Sequence, residues 1–130
     1  MKIGDAAKWS GLPVKTVRYY ADIGLVTPPR GANGYRDYGE PELKRLAFIG
    51  RARAFGFSIE ECRRLLGLYD DPNRASSDVK ALAEAHLAEL DDKLAKLKTL
   101  REELAAIASE CAGDEGARCP IIDHLAASGA

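Results

Sequence analysis

The fold of this chain is decided by the stretch Ser10-Gly11-Leu12-Pro13-Val14-Lys15-Thr16-Val17-Arg18-Tyr19-Tyr20-Ala21-Asp22-Ile23-Gly24. Apolar residues before Gly11 recur at helical spacing, and Ser10-Gly11 interrupts them. Pro13 suits the first position of a second helix because its missing N–H is not needed there, and Gly24 is a natural residue to end that helix. We therefore predict two short helices joined by a tight turn, which is a helix-turn-helix.

The second of these helices carries polar and aromatic residues near its exposed N-terminal side. These residues are Lys15, Thr16, Arg18 and Tyr19. Side chains of these types can reach phosphate oxygens and base edges in a DNA groove. A solvent-facing helix of an all-helical bundle would show the same pattern, so this segment alone leaves both interpretations open.

A hairpin is predicted shortly after the second helix. Asn33-Gly34 is a strong hairpin-turn signal, and short pieces with β propensity flank it. A hairpin directly after a helix-turn-helix is typical of a wing. Arg30 and Arg36 alternate there with Tyr35 and Tyr38, a composition suited to contact with a phosphate backbone.

Two further helices follow the predicted wing. The first opens at Glu40-Pro41 and ends at Phe55-Gly56. Ser58-Ile59-Glu60-Glu61 is a capping box, and it begins the second. Cys62 and Tyr69 lie on the apolar stripe of that second helix, so both are predicted to face the core, Cys62 as a small buried residue.

A long final helix begins after a break in the pattern. Asp70-Asp71-Pro72-Asn73 marks a domain boundary, and Ser76 or Ser77 is predicted to cap a helix that continues to about Ser109. Within it, apolar residues follow alternating steps of three and four, with Arg101 at the one polar step; they are Leu87, Leu90, Leu94, Leu97, Leu104 and Ala108. This pattern predicts a coiled-coil seam, and a second copy of the chain is the economical partner.

Two of the three cysteines bracket a loop near the end of the chain. Cys111 and Cys119 flank seven residues rich in glycine and acidic side chains, a spacing that is not the Cys-x-x-Cys of dithiol redox proteins. We interpret the two thiols as the input of a sensor; unremarkable cysteines or a disulfide are the alternatives. Pro120 can begin a short helix to Ala127, which would place Cys119 at a helix N-terminus, where thiol pKa values are lowered.

Composition and charge limit the classes of function. The net charge is −1, but residues 1–70 carry +4 and residues 71–130 carry −5, which favours a polyanionic partner for the first part. No apolar run is long enough to span a bilayer, and Met1–Asp5 leads directly into a patterned segment, so we expect no signal peptide, no membrane partner and a cytoplasmic location. In that compartment paired cysteines more often bind metal or do redox chemistry than staple a fold. No acid–base pair, activated nucleophile or phosphate-binding glycine loop indicates an enzyme.

Taken together, these segments resemble the MerR family of bacterial transcription regulators. The resemblance is carried by four segments: Val14-Lys15-Thr16-Val17-Arg18-Tyr19-Tyr20, Ile23-Gly24-Leu25-Val26, Asn33-Gly34-Tyr35-Arg36-Asp37-Tyr38 and Ala52-Arg53-Ala54-Phe55-Gly56-Phe57-Ser58-Ile59-Glu60-Glu61. It implies a mainly α fold with a winged helix-turn-helix DNA-binding domain over residues 1–70. A hinge and a dimerisation helix would follow over residues 71–110, forming an antiparallel coiled coil. Residues 111–130 would form a metal-binding loop and a short helix.

Within the family, the loop and the Pro120-Ile121-Ile122 that follows it resemble the copper-efflux regulators of the CueR/HmrR type. The resemblance implies one Cu(I), or Ag(I) or Au(I), held between the thiolates of Cys111 and Cys119. Thiolate is a soft ligand that suits these ions, whereas tetrahedral zinc would need four ligands. Divalent-metal members typically add a cysteine near the start of the dimerisation helix. Here Ser76 matches the serine of the monovalent sensors.

The resemblance also implies partners and a mechanism. The homodimer would bind double-stranded promoter DNA through Lys15, Arg18 and Tyr19 with Tyr35 and Arg36, and it would activate transcription by distorting the promoter for RNA polymerase. A sensor of a divalent metal or of a thiol oxidant remains an alternative. From another class of function, so does a cytosolic copper-binding protein whose helix-turn-helix is incidental.

Overall fold

The computed structural model describes residues 1–127; Ser128–Ala130, the end of the segment predicted as metal-binding loop and helix, lie outside the described residues. Six helices form the described part, and no strand occurs in it. They are α1 (Ile3–Ser10), α2 (Val14–Asp22), α3 (Glu40–Ala54), α4 (Ile59–Asp70), α5 (Ser76–Ser109) and α6 (Pro120–Ala126). The predicted mainly α fold is confirmed.

The chain divides into two compact units, Met1–Leu82 and a second unit from Ala83 onward. In the first unit, α1 packs against α2 and α3, and α3 packs against α4. Their buried side chains form a single apolar core, whose most deeply enclosed members are Val17, Val26, Tyr38, Leu46, Ile49 and Cys62. This core fixes the helix-turn-helix as one rigid piece.

Local signals in the sequence account for several helix ends. Gly11 has the left-handed backbone (φ +72°) that ends α1, and Gly24 has φ +73° just beyond α2. Before α4, Ser58 Oγ accepts from the Glu61 N–H at 3.1 Å, and Glu61 Oε1 accepts from the Ser58 N–H at 2.9 Å, so the capping box is present. Pro13 is the N-cap of α2 and not its first helical residue, with ψ 145°.

Two expectations for side chains in α4 have different outcomes. Cys62 is fully buried, as predicted. Tyr69 is 45% exposed, so the prediction that it faces the core was wrong. Its ring lies 5.2 Å from that of Phe48, and the Arg45 guanidinium is 5.9 Å from its centroid. An aromatic ring covered on one side by a cation can remain half in solvent, which the periodicity alone does not reveal.

The predicted wing is a tight loop with a single antiparallel bridge between Arg30 and Arg36. The Gly31 N–H donates to the Tyr35 carbonyl at 2.8 Å, and the Asp37 N–H donates to the Pro29 carbonyl at 2.8 Å. The hairpin connection is thus present, but too few ladder hydrogen bonds form for its arms to be strands.

Helix α5 has 34 residues, and most of its leucines are exposed within the single chain. Leu87, Leu94, Leu97, Leu100 and Leu104 are each more than half exposed. Ser76 is the first helical residue, so the predicted serine cap lies inside the helix. Among the described residues, none of the helices combines the length and apolar character required to cross a bilayer.

Candidate DNA-binding face and thiol site

Helix α2 presents its polar residues outward because its apolar residues are held in the core. Val17, Tyr20 and Ala21 are buried, which orients the opposite side of the helix toward solvent. Among the predicted contacts on α2, Lys15, Arg18 and Tyr19 are exposed and Thr16 is half-buried. Three of these four side chains are therefore free to meet a ligand surface.

A basic cleft of about 480 Å³ lies between α2 and the wing. It brings together three of the predicted contact residues, Arg18, Tyr35 and Arg36. Lys15, Thr16 and Tyr19 do not line it. The rest of its lining is Lys2, Ile3 and Arg30, so four cationic side chains border one concave surface. Such a surface concentrates positive potential and favours a polyanion.

Arg36 connects the wing to α2. Its Nη2 donates to Asp22 Oδ1 at 2.9 Å, and its side chain is only 27% exposed. Arg30 Nη1 donates to the Gly34 carbonyl at 2.8 Å, across the turn of the wing. Both arginines thus hold the wing in shape, while their remaining N–H groups are available to an acceptor.

Lys2 is a member of the cleft that the sequence did not single out. The Tyr38 N–H donates to the Met1 carbonyl at 2.7 Å, which ties the first residues to the end of the wing. No local sequence signal marks Lys2 as part of the cleft, because the hydrogen bond that places it there joins residues 37 apart in the chain.

The thiol site is built by the loop between α5 and α6. Cys111 Sγ and Cys119 Sγ lie 3.6 Å apart, both cysteines are half-buried and both are free. Cys111 follows the last turn of α5, and Cys119 is the N-cap of α6, as the sequence predicted. The loop therefore brings two cysteines that are eight positions apart in the sequence into direct contact through their sulfurs.

Turns within the loop bring the two cysteines together. Gly113 has φ +68°, a conformation that a residue with a side chain rarely adopts. Asp114 Oδ1 accepts from the Gly116 N–H at 2.8 Å, which is an Asx turn. The loop thus folds on its own backbone, without an apolar core.

The pKa of the Cys119 thiol is lowered from its ordinary value. The largest cause is the backbone N–H of Ile122, followed by the hydrogen bond from Cys111; the Ile121 N–H adds to them. Asp123 opposes the effect through its negative charge. Backbone N–H groups at the start of α6 therefore favour the thiolate, which is the form that binds metal.

The distance between the two sulfurs fits a shared soft metal ion. A disulfide would need about 2.05 Å between them, so 3.6 Å is too long for one. With metal–sulfur bonds of about 2.3 Å, the sulfurs would lie about 4.6 Å apart in a linear arrangement and about 3.8 Å apart in a tetrahedral one. Both arrangements need an opening of about 1 Å or less, within the reach of an exposed loop.

Comparisons with known proteins agree with this architecture. The model of "MerR HTH family regulatory protein" matches residues 1–68, and that of "MerR, DNA binding" matches residues 43–107. The chain is 50% identical over 125 residues to the HTH-type transcriptional regulator HmrR of Rhizobium leguminosarum bv. viciae, covering 96% of this chain and 97% of that protein. It is 45% identical over 126 residues to the HTH-type transcriptional regulator CueR of Salmonella typhimurium, covering 96% and 91%.

A solved structure shows the same likeness in three dimensions. The transcription regulator PbrR691 from Ralstonia metallidurans CH34, in complex with lead(II), superposes with a TM-score of 0.80 at 37% identity and covers 97% of this chain and 99% of that one. Together the family models span residues 1–107, and each of these relatives matches at least 96% of this chain. This chain is a member of the MerR family of DNA-binding transcription regulators, which are not enzymes.

Proposed function

We propose that the protein is a Cu(I)-responsive transcriptional activator of copper-efflux and detoxification genes, which also responds to Ag(I) and Au(I). The observation that carries this proposal is the pair of free thiols 3.6 Å apart, one of them with a lowered pKa. Similarity to HmrR and CueR supports the same class of sensor. Soft sulfur ligands select monovalent d10 ions over hard cations.

The number of ligands favours one monovalent ion per loop. Cys111 and Cys119 are the two thiols of the site, and the third cysteine, Cys62, is buried in the core of the first unit. Cys111 and Cys119 would hold Cu(I) as thiolates, and the ion would neutralise one of their two negative charges. We propose that Ser76, where a divalent-metal sensor would carry a cysteine, contributes selectivity from the hinge of the partner subunit.

We propose that the chain has three parts, one for DNA binding, one for dimerisation and one for metal binding. Residues 1–70 bind promoter DNA, residues 71–110 form the hinge and the antiparallel dimerisation helix, and residues 111–130 bind metal. In the homodimer each subunit would place α2 in a major groove and its wing on the adjacent phosphates. The proposed DNA contacts are Lys15, Thr16, Arg18, Tyr19, Tyr35 and Arg36. The protein would act in the cytoplasm.

Activation is proposed to work through the shape of the promoter. A metal-dependent bend and untwisting of the DNA would let RNA polymerase engage both promoter elements, so the sequence between them would affect the response through its deformability. The switch needs two conformations that differ in metal affinity. Helix α6 supplies a candidate moving part, since Ile122 is 62% and Leu125 is 74% exposed. These side chains, with Ile121, would dock against the dimerisation helix or hinge near the partner subunit's Ser76.

An anaerobic metal titration tests the proposed site. The reduced protein is titrated with Cu(I) against a Cu(I) chelator of known affinity, and one ion per chain is expected. Cys119→Ser should lose this binding, and so should Cys111→Ser. Cys62→Ala is the matched control: it removes a thiol from the core and should leave the stoichiometry unchanged once its folding is verified by circular dichroism.

A transcription assay tests the proposed response. On a promoter that carries the operator, Cys119→Ser should bind DNA within a few-fold of the unaltered protein and yet fail to activate on addition of Cu(I). Activation by Cys119→Ser would overturn the thiolate mechanism. Failure of the unaltered protein to bind this DNA would instead contradict the assignment of the DNA-binding face.

Divalent-metal sensing is the second candidate, because two observations favour it. PbrR691 is described in complex with lead(II), and the 3.6 Å between the sulfurs is closer to a tetrahedral than to a linear arrangement. The titration separates the candidates: zinc or lead(II) binding at competitive affinity would support this one. Exclusive binding of monovalent ions would support the copper sensor.

A further inference from the structure

We propose that Lys2 contacts a DNA phosphate, so that the first residues of the chain belong to the DNA-binding face together with α2 and the wing. The inference rests on the proposed DNA contacts of that face and adds a residue that lies in neither motif. It begins with the placement of Lys2 in the cleft that also contains Arg18 and Arg36.

The backbone at Lys2 is held in position. The Tyr38 N–H donates to the Met1 carbonyl at 2.7 Å, and Tyr38 itself is only 1% exposed. On its other side, Lys2 is the N-cap of α1, and its carbonyl accepts from the Ala6 N–H at 2.9 Å. A backbone fixed from both sides gives the side chain a defined starting point, so contact with DNA needs little additional ordering of the backbone.

The charge of Lys2 is available to a ligand. Its side chain is exposed, and no carboxylate among residues 1–127 lies within ion-pair distance of its ammonium. Arg36, by contrast, already donates one hydrogen bond to Asp22. Asp5 and Asp37 border the adjoining depression that Lys2 also lines, without pairing with its ammonium. Lys2 is thus one of the cations around the cleft that would break the fewest existing ion pairs on contact with an anion.

The chemistry of lysine favours phosphate over a base edge. An ammonium is a compact, strongly hydrated point charge on a flexible stem, whereas the planar guanidinium is pre-organised for bidentate recognition. A contact of this type strengthens binding to every sequence equally and raises the salt dependence of the affinity. Both properties can be measured without knowledge of the atomic complex.

The test compares Lys2→Gln with the matched control Lys8→Gln. Lys8 is an exposed lysine of α1 that does not line the cleft. The full-length dimer is titrated onto duplex DNA that carries the operator, and onto a scrambled duplex, between 50 and 200 mM salt. The slope of log K against log salt is negative, and each lost phosphate contact reduces its magnitude by about 0.9, so a dimer that loses two contacts should have a slope shallower by about 1.8.

This change in slope has a direct consequence for affinity. The ratio of affinities between unaltered protein and Lys2→Gln should fall about 12-fold across that fourfold range of salt, on both duplexes. Lys8→Gln should leave the slope unchanged. An unchanged slope in Lys2→Gln, or a loss confined to the operator duplex, would overturn the inference and leave the proposed function standing. Failure of the unaltered protein to bind either duplex would refute the proposed DNA-binding function itself.

Discussion

Replacing Leu97 with alanine should weaken self-association of the chain. Leu97 lies in the predicted coiled-coil seam and is 61% exposed in the single chain, so most of its surface is available to a partner helix. Alanine is the strongest helix former, so the substitution leaves α5 intact and removes only apolar contact. The effect therefore measures packing between chains.

The size of the effect follows from the exposed fraction. Leucine-to-alanine changes at fully buried sites cost about 2–5 kcal/mol, and scaling by the 61% that a partner could cover gives about 1–3 kcal/mol per chain. A dimer contains two copies, so its dissociation free energy should fall by about 2–6 kcal/mol, which is about 30-fold to 20,000-fold in the dissociation constant.

Sedimentation equilibrium over a range of concentrations measures this constant. Thr99→Ala is the matched control, because Thr99 lies on the opposite side of α5 and its Oγ1 donates to the Ala95 carbonyl of its own helix at 3.2 Å. We expect Thr99→Ala to dimerise as the unaltered chain does. Equal dissociation constants for Leu97→Ala and Thr99→Ala would refute the assignment of the leucine seam as the dimer interface.

Three further predictions concern the cap of α4, the thiol site and an ion pair. Ser58→Ala removes an N-cap side chain and should lower the free energy of unfolding by about 1 kcal/mol in urea titrations, whereas an unchanged value would show that the capping box contributes nothing. Cys111→Ala removes a hydrogen bond that lowers the pKa of Cys119, so the pH midpoint of Cys119 alkylation should rise in the reduced, metal-free protein; a constant midpoint would assign the whole shift to backbone N–H groups. The hydrogen bonds from Arg45 lower the pKa of Asp70 below its value in the unfolded chain, so their stabilisation is present above that value and is lost as the pH falls through the lowered pKa. Asp70→Asn should therefore be less stable by under about 1 kcal/mol near neutral pH, with a difference that shrinks on acidification; a difference independent of pH would exclude this linkage.

Sequence reasoning predicts the elements that depend on neighbouring residues. The capping box at Ser58 and the turn at Gly24 are local, since each is decided by the conformations that a few adjacent residues allow. The helix-turn-helix and the position of Cys119 before α6 follow from the same kind of signal. Hence the order of the helices was predictable, and the comparisons confirm the family.

Contacts between distant residues were not predictable in the same way. The ion pair between Arg36 and Asp22 spans 14 positions, and the hydrogen bond that places Lys2 beside the wing depends on where Tyr38 is buried. The distance between Cys111 Sγ and Cys119 Sγ is set by the turns of the loop, and spacing alone allowed several outcomes. Tyr69 shows the converse: helical periodicity assigned it to the core, but a cation beside its ring leaves it half in solvent.

The burial of Cys62 gives this chain an internal reporter of its own unfolding. Burial raises the pKa of its thiol and excludes reagents, whereas Cys111 and Cys119 are partly accessible in the native state. A thiol reagent applied to the metal-free protein should therefore label two sulfurs quickly and the third only when the core opens. Under conditions where opening is fast and reversible, the rate at Cys62, relative to the unfolded chain, gives the free energy of that opening. The stability of the DNA-binding unit and the reactivity of the sensor loop can thus be followed in one experiment, without an added label.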